Sequence, residues 1–389
     1  MSLLRHTKTD RTMTEDILQE ILVQDSNGEL FYRFANADGK IWIMPARNLR
    51  TAMELYQPSG WKGRLLKRWF PILHRLRIVR SVVHAEGIRC RMNGELRKML
   101  ERVLDTEDVE FSIFCGTPCV HQKITMQLSK GDKILGYCKL TENDEIAALF
   151  EKEAHLLEAL HGKGMWGVPE CLLYGKMDDG ARLFVQSTEK TTASRVMHDW
   201  SDMHDKFLTR LKEATARQLR FEQSDYFHTL KTLEEHIDWL PDGVDKGLVE
   251  RTLREIFHRW QGKEVTFSAY HADFTPWNMF VEDDRLYVFD WEYAQMTYPP
   301  MLDRYHFFTQ TAIFERHWKA ENILRYMISK EGRWMDAEDY KAYLIEVIAR
   351  FTIRERGRVK GNLAFSMKLW SDLLLYLSPN STIEGCSIN

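Results

Sequence analysis

The stretch YHADFTPWNMFVEDDRLYVFDWE, residues 270–292, contains three polar residues in a segment that is otherwise typical of buried strands and turns. Asp273 and Asn278 are five positions apart, and Asp290 follows twelve positions later. A single residue of this kind is usually a turn former, because short polar side chains hydrogen-bond to nearby backbone groups. Two carboxylates and a carboxamide at these spacings in one such stretch are harder to explain as turn formers alone.

The composition excludes several classes of protein. The chain has 389 residues, 44% of them apolar, which is enough for two or three domains or for one two-lobed enzyme with an extension. A net charge of −3 argues against a dedicated nucleic-acid binder, and no nucleic acid is expected as a partner. No apolar run approaches the roughly 20 residues of a membrane span. The six cysteines are scattered and predict reduced thiols in the cytosol, not a zinc site.

Residues 1–108 are predicted to form an N-terminal extension. Residues 30–44 have two aromatic-rich runs around Asp38-Gly39, a pattern that predicts a β-hairpin. Residues 61–80 contain seven Lys/Arg and no Asp or Glu, and Trp61, Leu65 and Trp69 recur at helical spacing. Such basic amphipathic helices either lie on an anionic membrane surface or pack on their own protein with their cations in water. Both alternatives remain open at this point.

The rest of the chain has two parts and a tail. Residues 109–188 alternate as strand, strand, strand, helix, strand, strand, which predicts a small antiparallel sheet with one helix packed on it. Residues 189–377 are mostly helical and are interrupted by the polar stretch quoted above. Residues 378–389 are predicted to be a disordered tail.

This arrangement resembles the family of aminoglycoside phosphotransferases and choline kinases, which are small-molecule relatives of protein kinases. The matching residues are His271-Ala272-Asp273-Phe274-Thr275-Pro276-Trp277-Asn278 and Asp290-Trp291-Glu292. The resemblance covers roughly residues 109–375. It implies an α+β, two-lobed protein-kinase-like fold, with a small β-rich N-lobe and a larger helical C-lobe behind the N-terminal extension. It also implies an ATP- and Mg²⁺-dependent phosphotransferase with an alcohol group as acceptor.

The resemblance implies a role for each motif residue. Asp273 is expected to orient the acceptor hydroxyl and accept its proton, and Asn278 and Asp290 are expected to bind Mg²⁺. In the N-lobe, Lys139 is expected to contact the ATP phosphates and Glu153 to hold that lysine. Lys123 and Glu151 are the competing candidates for these two positions. Gln186, Ser187 and Thr188 would form the hinge beside the adenine.

The sequence departs from the family pattern in the N-lobe loop and in the catalytic loop. Gly116 is the only glycine of the expected phosphate loop, and Ala272 occupies a position where the family often has glycine. His271 is expected to support the loop, and Asp303 is expected to be structural. The short stretch between Asp290 and Asp303 leaves little room for the activation segment of protein kinases, so a small acceptor is favoured over a protein substrate.

The extension suggests which acceptor is used. A basic amphipathic helix would serve an enzyme that acts on a membrane-anchored glycan. The hypothesis is therefore a sugar kinase whose acceptor belongs to a lipid-linked or surface glycan, such as a lipopolysaccharide core sugar. The expected location is then cytoplasmic, with residues 61–80 in peripheral contact with the anionic inner face of the membrane. Two alternatives stay open: a soluble small-molecule kinase acting on an aminoglycoside, a choline-like compound or another metabolite, and a non-catalytic pseudokinase scaffold.

Overall fold

The computed structural model describes residues 13–58, 60–116, 122–178, 180–328 and 336–378. The chain divides into two compact units. The first unit comprises Met1–Gly162, Trp166–Val196 and Phe280–Glu292, and the second comprises Lys163–Met165, Met197–Met279 and Tyr293–Asn389. The predicted division at residues 108, 188 and 377 stays a prediction. The predicted tail lies almost entirely outside the described residues.

An eight-stranded antiparallel sheet forms the centre of the first unit. Its strands are β1 (Leu22–Ala35), β2 (Ile41–Pro45), β3 (Glu86–Met92), β4 (Glu110–Cys115), β5 (Ile124–Lys130), β6 (Lys133–Thr141), β7 (Cys171–Lys176) and β8 (Arg182–Ser187). Their order across the sheet is β3-β1-β2-β4-β5-β6-β8-β7. The predicted hairpin is present, with Phe31 opposite Pro45 and Ala35 opposite Ile41. Because β2 pairs with β4, the extension and the predicted N-lobe share one sheet.

Alternation along β1 and β2 buries apolar side chains on both faces of this sheet. Phe31 and Ile43 belong to one buried cluster, together with residues of β4, β5 and β6. Their neighbours Tyr32 and Trp42 belong to a second cluster, which also contains Phe70. The described residues of the first unit form the helices α1 (Met13–Ile21), α2 (Leu49–Ala52), α3 (Trp61–Leu73), α4 (Arg77–Val82), α5 (Gly94–Val103) and α6 (Asp144–Gly162).

The basic segment 61–80 forms the helices α3 and α4, as its periodicity predicts. Pro71 lies inside α3, and the chain leaves the helix only after Leu73. Within the described residues, no helix is long and apolar enough to cross a membrane. The part of the polar stretch between Asn278 and Asp290 forms a short two-stranded sheet of β11 (Met279–Glu282) and β12 (Arg285–Val288).

The second unit is mostly helical. Its helices are α7 (Asp202–Thr215), α8 (Asp225–Glu235), α9 (Lys246–Trp260), α10 (Leu302–Phe314), α11 (Ala320–Ile328), α12 (Ala337–Glu355) and α13 (Gly361–Tyr376). A small antiparallel sheet of β9 (Arg217–Arg220), β10 (Glu264–Tyr270) and β13 (Gln295–Tyr298) has the order β13-β10-β9. The end of β10 leads directly into the loop of Asp273, and α10 begins just before Asp303.

Candidate active site

The first unit brings Lys139, Glu153 and Asp290 together. Lys139 Nζ lies 2.7 Å from Glu153 Oε2 and 2.7 Å from Asp290 Oδ1. The ion pair between Lys139 and Glu153 is therefore the one that the order of elements predicted. Glu151, the competing carboxylate, belongs to the same helix but is exposed.

Helix α6 explains why Glu153 is buried. Its apolar side chains recur at Ile146, Phe150 and Leu157, and Glu153 lies on this same stripe, so the helix carries its carboxylate into the interior. A buried carboxylate needs a cationic partner, and Lys139 on β6 supplies it. Burial works against the charge of Lys139, but Asp290 and Glu153 outweigh it and raise the pKa of the ammonium. The lysine is therefore charged at neutral pH.

Two further charged residues belong to this cluster. Lys123, immediately before β5, donates a hydrogen bond to Glu292 Oε2 and has its Nζ 3.7 Å from Asp290 Oδ1. Oxygen atoms of Glu153, Asp290 and Glu292 all lie within 4.8 Å of one another. Asp290 has a φ of 68°, in the left-handed region that aspartate tolerates better than most residues. Three carboxylates and two ammonium groups thus share one small region, which we call the charge cluster.

The hinge residues follow the end of β8. Gln186 is buried and Ser187 is half-buried. The backbone of Ser187 is engaged inside the first unit, because its N–H donates to Glu170 O at 2.9 Å and its carbonyl accepts from the Tyr287 hydroxyl at 3.2 Å. Thr188 accepts a hydrogen bond from the Lys190 amide through its Oγ1. The adenine-binding role of Gln186, Ser187 and Thr188 stays a prediction.

Gly116 follows β4, and its carbonyl accepts a hydrogen bond from Gln122 Nε2 at 2.6 Å. A Cβ placed on Gly116 would meet no atom within 4 Å. The role of Gly116 in approaching phosphate stays a prediction, because residues 117–121 lie outside the described part of the chain.

In the second unit, both carboxylate oxygens of Asp273 accept hydrogen bonds. His306 Nε2 lies 3.2 Å from Oδ1, and Asn278 Nδ2 donates to Oδ2 at 2.6 Å. Burial alone would raise the pKa of Asp273, but the hydrogen bond from His306 and the charge of Arg350 lower it. Asp273 is therefore a carboxylate at neutral pH, and its side chain is held in one orientation.

His306 is itself held from the opposite side. Its Nδ1 lies 3.3 Å from the Tyr343 hydroxyl, which accepts a hydrogen bond from Gln310 Nε2 at 3.2 Å. Burial lowers the pKa of His306, so its ring is neutral and carries one N–H. The chain of donors then places that proton on Nε2, facing Asp273.

The loop before Asp273 is anchored through its backbone. Asp303 Oδ2 accepts from His271 N at 2.9 Å, and Asp303 Oδ1 accepts from Ala272 N at 3.1 Å. His271 Nδ1 in turn accepts from Asp273 N at 3.1 Å. Asp303 therefore fixes this loop through two amides, where the sequence suggested an anchor for the helix start, and His271 supports the loop.

These residues fit Mg²⁺ and a nucleotide. Asn278 turns its amide nitrogen towards Asp273, which leaves its Oδ1 as the ligand atom that a hard cation prefers. Asp290 supplies an anionic oxygen, and the two lysines of the charge cluster suit phosphate oxygens. The donor chemistry of both units therefore matches the cofactors that the resemblance implies.

Sequence reasoning missed two members of the site. Glu292 was quoted only as part of the motif, although the structure pairs it with Lys123. His306 gave no signal, because it lies 33 positions after Asp273 on a helix whose apolar pattern identifies only core residues. Contacts between residues so far apart in sequence follow from the fold and cannot be read from local spacing.

Comparison with known proteins supports the resemblance to small-molecule kinases. Residues 138–303 match the family model of phosphotransferase enzymes, APH. No curated protein matches the chain in sequence.

Among solved structures, a thermostable mutant of aminoglycoside phosphotransferase APH(4)-Ia with AMP-PNP and hygromycin B superposes with a TM-score of 0.51 at 12% identity, covering 74% of this chain and 100% of that chain. A second such mutant, with ADP and hygromycin B, gives a TM-score of 0.50 at 13% identity and the same coverage. A putative fructosamine-3-kinase from Haemophilus somnus 129PT gives 0.44 at 12% identity, covering 72% and 96% of the two chains.

At such identities the two APH(4)-Ia superpositions show the fold alone, and they confirm the α+β, two-lobed protein-kinase-like fold. The family match confirms the prediction of a phosphotransferase enzyme, and ATP with Mg²⁺ are the cofactors of that class. The matched residues 138–303 include Asp273, Asn278 and Asp290, the motif by which the chain resembles the small-molecule kinases.

Proposed function

We propose that this protein transfers the γ-phosphate of ATP to a hydroxyl group of a sugar, and that the sugar belongs to a lipid-linked or surface glycan such as a lipopolysaccharide core. The observation that carries the kinase chemistry is the buried Lys139, held at 2.7 Å by both Glu153 and Asp290. A buried ion cluster adds little net stability, because the cost of desolvating its charges offsets their attraction. A phosphate-binding role gives the arrangement a function that stability does not.

Each residue then has one task. Asp273 accepts the hydrogen bond of the acceptor hydroxyl and takes its proton, while His306 and Asn278 keep the carboxylate oriented. Lys139 binds phosphate oxygens, and Glu153 keeps the ammonium in place. Mg²⁺, bound through oxygens of Asn278 and Asp290, would neutralise the phosphate charge during transfer.

The nucleotide base and the phosphates need further contacts from the first unit. Backbone groups in the hinge Gln186–Thr188 are proposed to bind the adenine. Gly116 is proposed to let the chain approach the phosphates closely, because it has no Cβ. These assignments complete the ATP site of the proposal.

Two substitutions test the kinase chemistry. Asp273→Asn should lower kcat by about 10²- to 10⁴-fold, because the amide cannot accept the proton, and should leave the affinity for Mg-ATP nearly unchanged. Lys139→Met should weaken Mg-ATP binding as well as lower kcat. Full transfer activity in Asp273→Asn would contradict the role of this carboxylate.

The surface of α3 and α4 supports the membrane-anchored acceptor. Seven large apolar side chains on these helices are exposed: Trp61, Leu65, Trp69, Ile72, Leu76, Ile78 and Val82. Trp61 is 63% exposed and Ile78 is 73% exposed, whereas Phe70 on the same helix is buried in the core. The helices therefore use one side to pack on their own protein and leave a second apolar side uncovered. We call this exposed set the apolar basic face.

Charge favours an anionic lipid surface as the partner of this face. Residues 61–80 carry seven cations and no carboxylate. Only Lys67 of these has an ion pair among the described contacts, with Glu54 at 2.8 Å. Tryptophan and aliphatic side chains enter the interface between headgroups and acyl chains, and each cation adds attraction to anionic lipids. A glycan kinase resting on such a surface would meet its acceptor there.

Vesicle binding tests this part of the proposal. A Trp61→Ser/Ile72→Ser variant should sediment less with vesicles that contain anionic phospholipid and should phosphorylate a bacterial glycolipid extract more slowly. Phe365→Ser is the matched control, since Phe365 is 65% exposed on α13, outside the apolar basic face. Equal vesicle binding by the unmutated protein and the double variant would contradict the membrane contact.

The acceptor experiment separates the proposal from its alternatives. The protein is incubated with Mg²⁺ and γ-labelled ATP, beside Asp273→Asn, with glycolipid in one tube and soluble aminoglycosides and sugars in another. Label in glycolipid supports the glycan kinase, and label only in soluble acceptors identifies a soluble small-molecule kinase. Thermal stabilisation by Mg-ATP without transfer to any acceptor would favour the pseudokinase scaffold.

A further inference from the structure

We propose that Lys123 is a second phosphate-binding lysine of the nucleotide site, an inference that rests on the kinase function proposed above. Sequence reasoning treats Lys123 only as a competitor of Lys139. The structure places both ammonium groups at the same carboxylate, since Lys139 Nζ is 2.7 Å and Lys123 Nζ is 3.7 Å from Asp290 Oδ1. The two lysines are therefore not alternatives.

The two ammonium groups differ in how fully they are engaged. Lys139 donates to both Glu153 and Asp290, and its side chain is only 6% exposed. Lys123 donates to Glu292, its distance to Asp290 is too long for a hydrogen bond, and its side chain is 23% exposed. An ammonium has three donors on a flexible stem, so Lys123 is the better placed of the two to reach an added anion.

The composition of the neighbouring loop explains why a second lysine is needed. Protein kinases cover the phosphates with a glycine-rich loop, and the lack of side chains lets its backbone approach the oxygens closely. From Glu110 to Lys130 this chain has one glycine, Gly116. In a glycine-poor loop, the backbone N–H groups approach the phosphates less closely. The ammonium of Lys123, immediately before β5, supplies positive charge in their place.

The charges of the cluster agree with this role. Burial opposes the charge of Lys123, but Asp290 and Glu292 outweigh it and raise the pKa of the ammonium, so the lysine is cationic. Glu292 also accepts a hydrogen bond from Lys123. Its contact with Lys123 therefore also allows a purely structural explanation, in which the lysine serves only as the counter-ion of Glu292. The experiment has to distinguish phosphate binding by Lys123 from a structural role as the counter-ion of Glu292.

Calorimetric titration with Mg-ADP and with adenosine makes the distinction. Lys123→Met should weaken Mg-ADP binding about ten- to hundredfold, the effect of losing one charge-assisted hydrogen bond, and should leave adenosine binding unchanged. Lys123→Arg should recover part of the affinity. Unchanged Mg-ADP affinity in Lys123→Met would overturn the proposal.

The double variant Lys123→Met/Glu292→Gln keeps the test valid if the single variant is unstable, because it removes both members of the pair. Its Mg-ADP affinity is compared with that of Glu292→Gln alone. A loss of about tenfold or more relative to Glu292→Gln supports direct phosphate contact, and equal affinities mean that Lys123 acts only as a counter-ion. If the unmutated protein itself does not bind Mg-ADP, the proposed kinase function fails, independently of Lys123.

Discussion

Asp273 has little freedom to rotate, because each of its carboxylate oxygens accepts a hydrogen bond from a different element. Asn278 reaches one oxygen from within the same loop, and His306 reaches the other from α10. The neutral ring of His306 receives its own support from Tyr343. In the proposed function, a carboxylate already held in one orientation needs no reordering when the acceptor hydroxyl binds, which is how positioning lowers an activation barrier.

Removal of this support should affect catalysis more than binding. His306→Ala is expected to lower kcat about tenfold, with the KM for ATP nearly unchanged, because the carboxylate loses one of its two orienting donors. His306→Gln places an amide N–H near the position of Nε2 and should recover much of the rate. Steady-state kinetics of both variants check this. Equal losses in the alanine and glutamine variants would mean that His306 contributes only packing.

Ala272 carries backbone strain beside this carboxylate. Its φ of 70° lies in the left-handed region, which costs a residue with a Cβ about 1–2 kcal/mol. Ala272→Gly should therefore change the free energy of unfolding by less than about 0.5 kcal/mol, because relief of strain offsets the lost methyl burial and the greater freedom of the unfolded chain.

Ala269 on β10 provides the control for this measurement, since it is buried but does not have a positive φ. The same exchange at Ala269 should destabilise the protein by about 1.5 kcal/mol, because no strain is relieved there. Urea unfolding of both variants measures the difference. If Ala272→Gly destabilises as much as Ala269→Gly, the left-handed conformation carries no strain.

At the scale of elements, α7 begins with a titratable cap. His204 is buried near the start of the helix, and its Nδ1 accepts from Ser201 N at 3.0 Å. A capping box normally uses Glu or Gln at this position, and neither titrates near neutrality in this way. Burial lowers the pKa of His204 to about 4, so the cap requires the neutral ring.

This cap predicts a specific dependence of stability on pH. The pKa in the folded protein lies below the usual value of about 6.5, so between pH 6.5 and 4 the unfolded chain binds a proton that the folded chain does not. The stabilisation is complete above pH 6.5 and is lost as pH falls towards 4, by about 3 kcal/mol in total. His204→Gln keeps an acceptor but does not titrate. Urea unfolding of both proteins across this range should show the unmutated protein losing stability relative to the variant, and parallel curves would contradict the assignment.

Elements with strong local patterns could be predicted, and those that depend on distant partners could not. The hairpin around Asp38-Gly39 and the helix α6 follow from turn chemistry and apolar periodicity. Strand β3 was missed, because its alternation in residues 86–92 is short and contains three charged residues. Its assignment as a strand depends on pairing with β1 across about 60 residues of sequence.

The same distinction holds for the site. Asp273, Asn278 and Asp290 are recognisable because they share one continuous motif, and Glu153 is recognisable because it lies on the helix that follows the strand of Lys139, where the resemblance expects the partner of that lysine. Lys123 could be named only as a competitor, because sequence order cannot show that a lysine before β5 and a lysine on β6 meet one carboxylate.

At the scale of the whole molecule, the N-terminal extension contributes three strands to the eight-stranded sheet. One buried cluster joins Ile17, Phe31 and Ile43 of the extension to Phe111 and Ile113 of β4. Removal of residues 1–108 would uncover this cluster and leave β4, with the sequence EFSIFC, as an edge strand that is paired only with β5. Exposed apolar edge strands are prone to pair with other chains.

A truncated variant consisting of residues 109–389 should therefore be less stable than the full chain and should aggregate. If the extension were an independent appendage, its removal would change neither property. Urea unfolding and size-exclusion chromatography measure the two effects. Co-expression of residues 1–108 as a separate chain should restore soluble protein, because it supplies the missing strands. A monomeric truncated variant with the urea midpoint of the full chain would contradict this prediction.

The sheet order also has a consequence for which hydroxyl groups a membrane-bound enzyme would reach. Helices α3 and α4 connect β2 to β3, β2 pairs with β4, and β4 pairs with β5, beside Lys123. Neighbouring strands are about 4.8 Å apart, so two strand spacings, about 10 Å, separate β2 from β5. If the apolar basic face rests on a bilayer, the sheet fixes the distance between the phosphate donor and the lipid surface. The position of a sugar along its glycan, counted from the lipid anchor, would then decide whether it is phosphorylated.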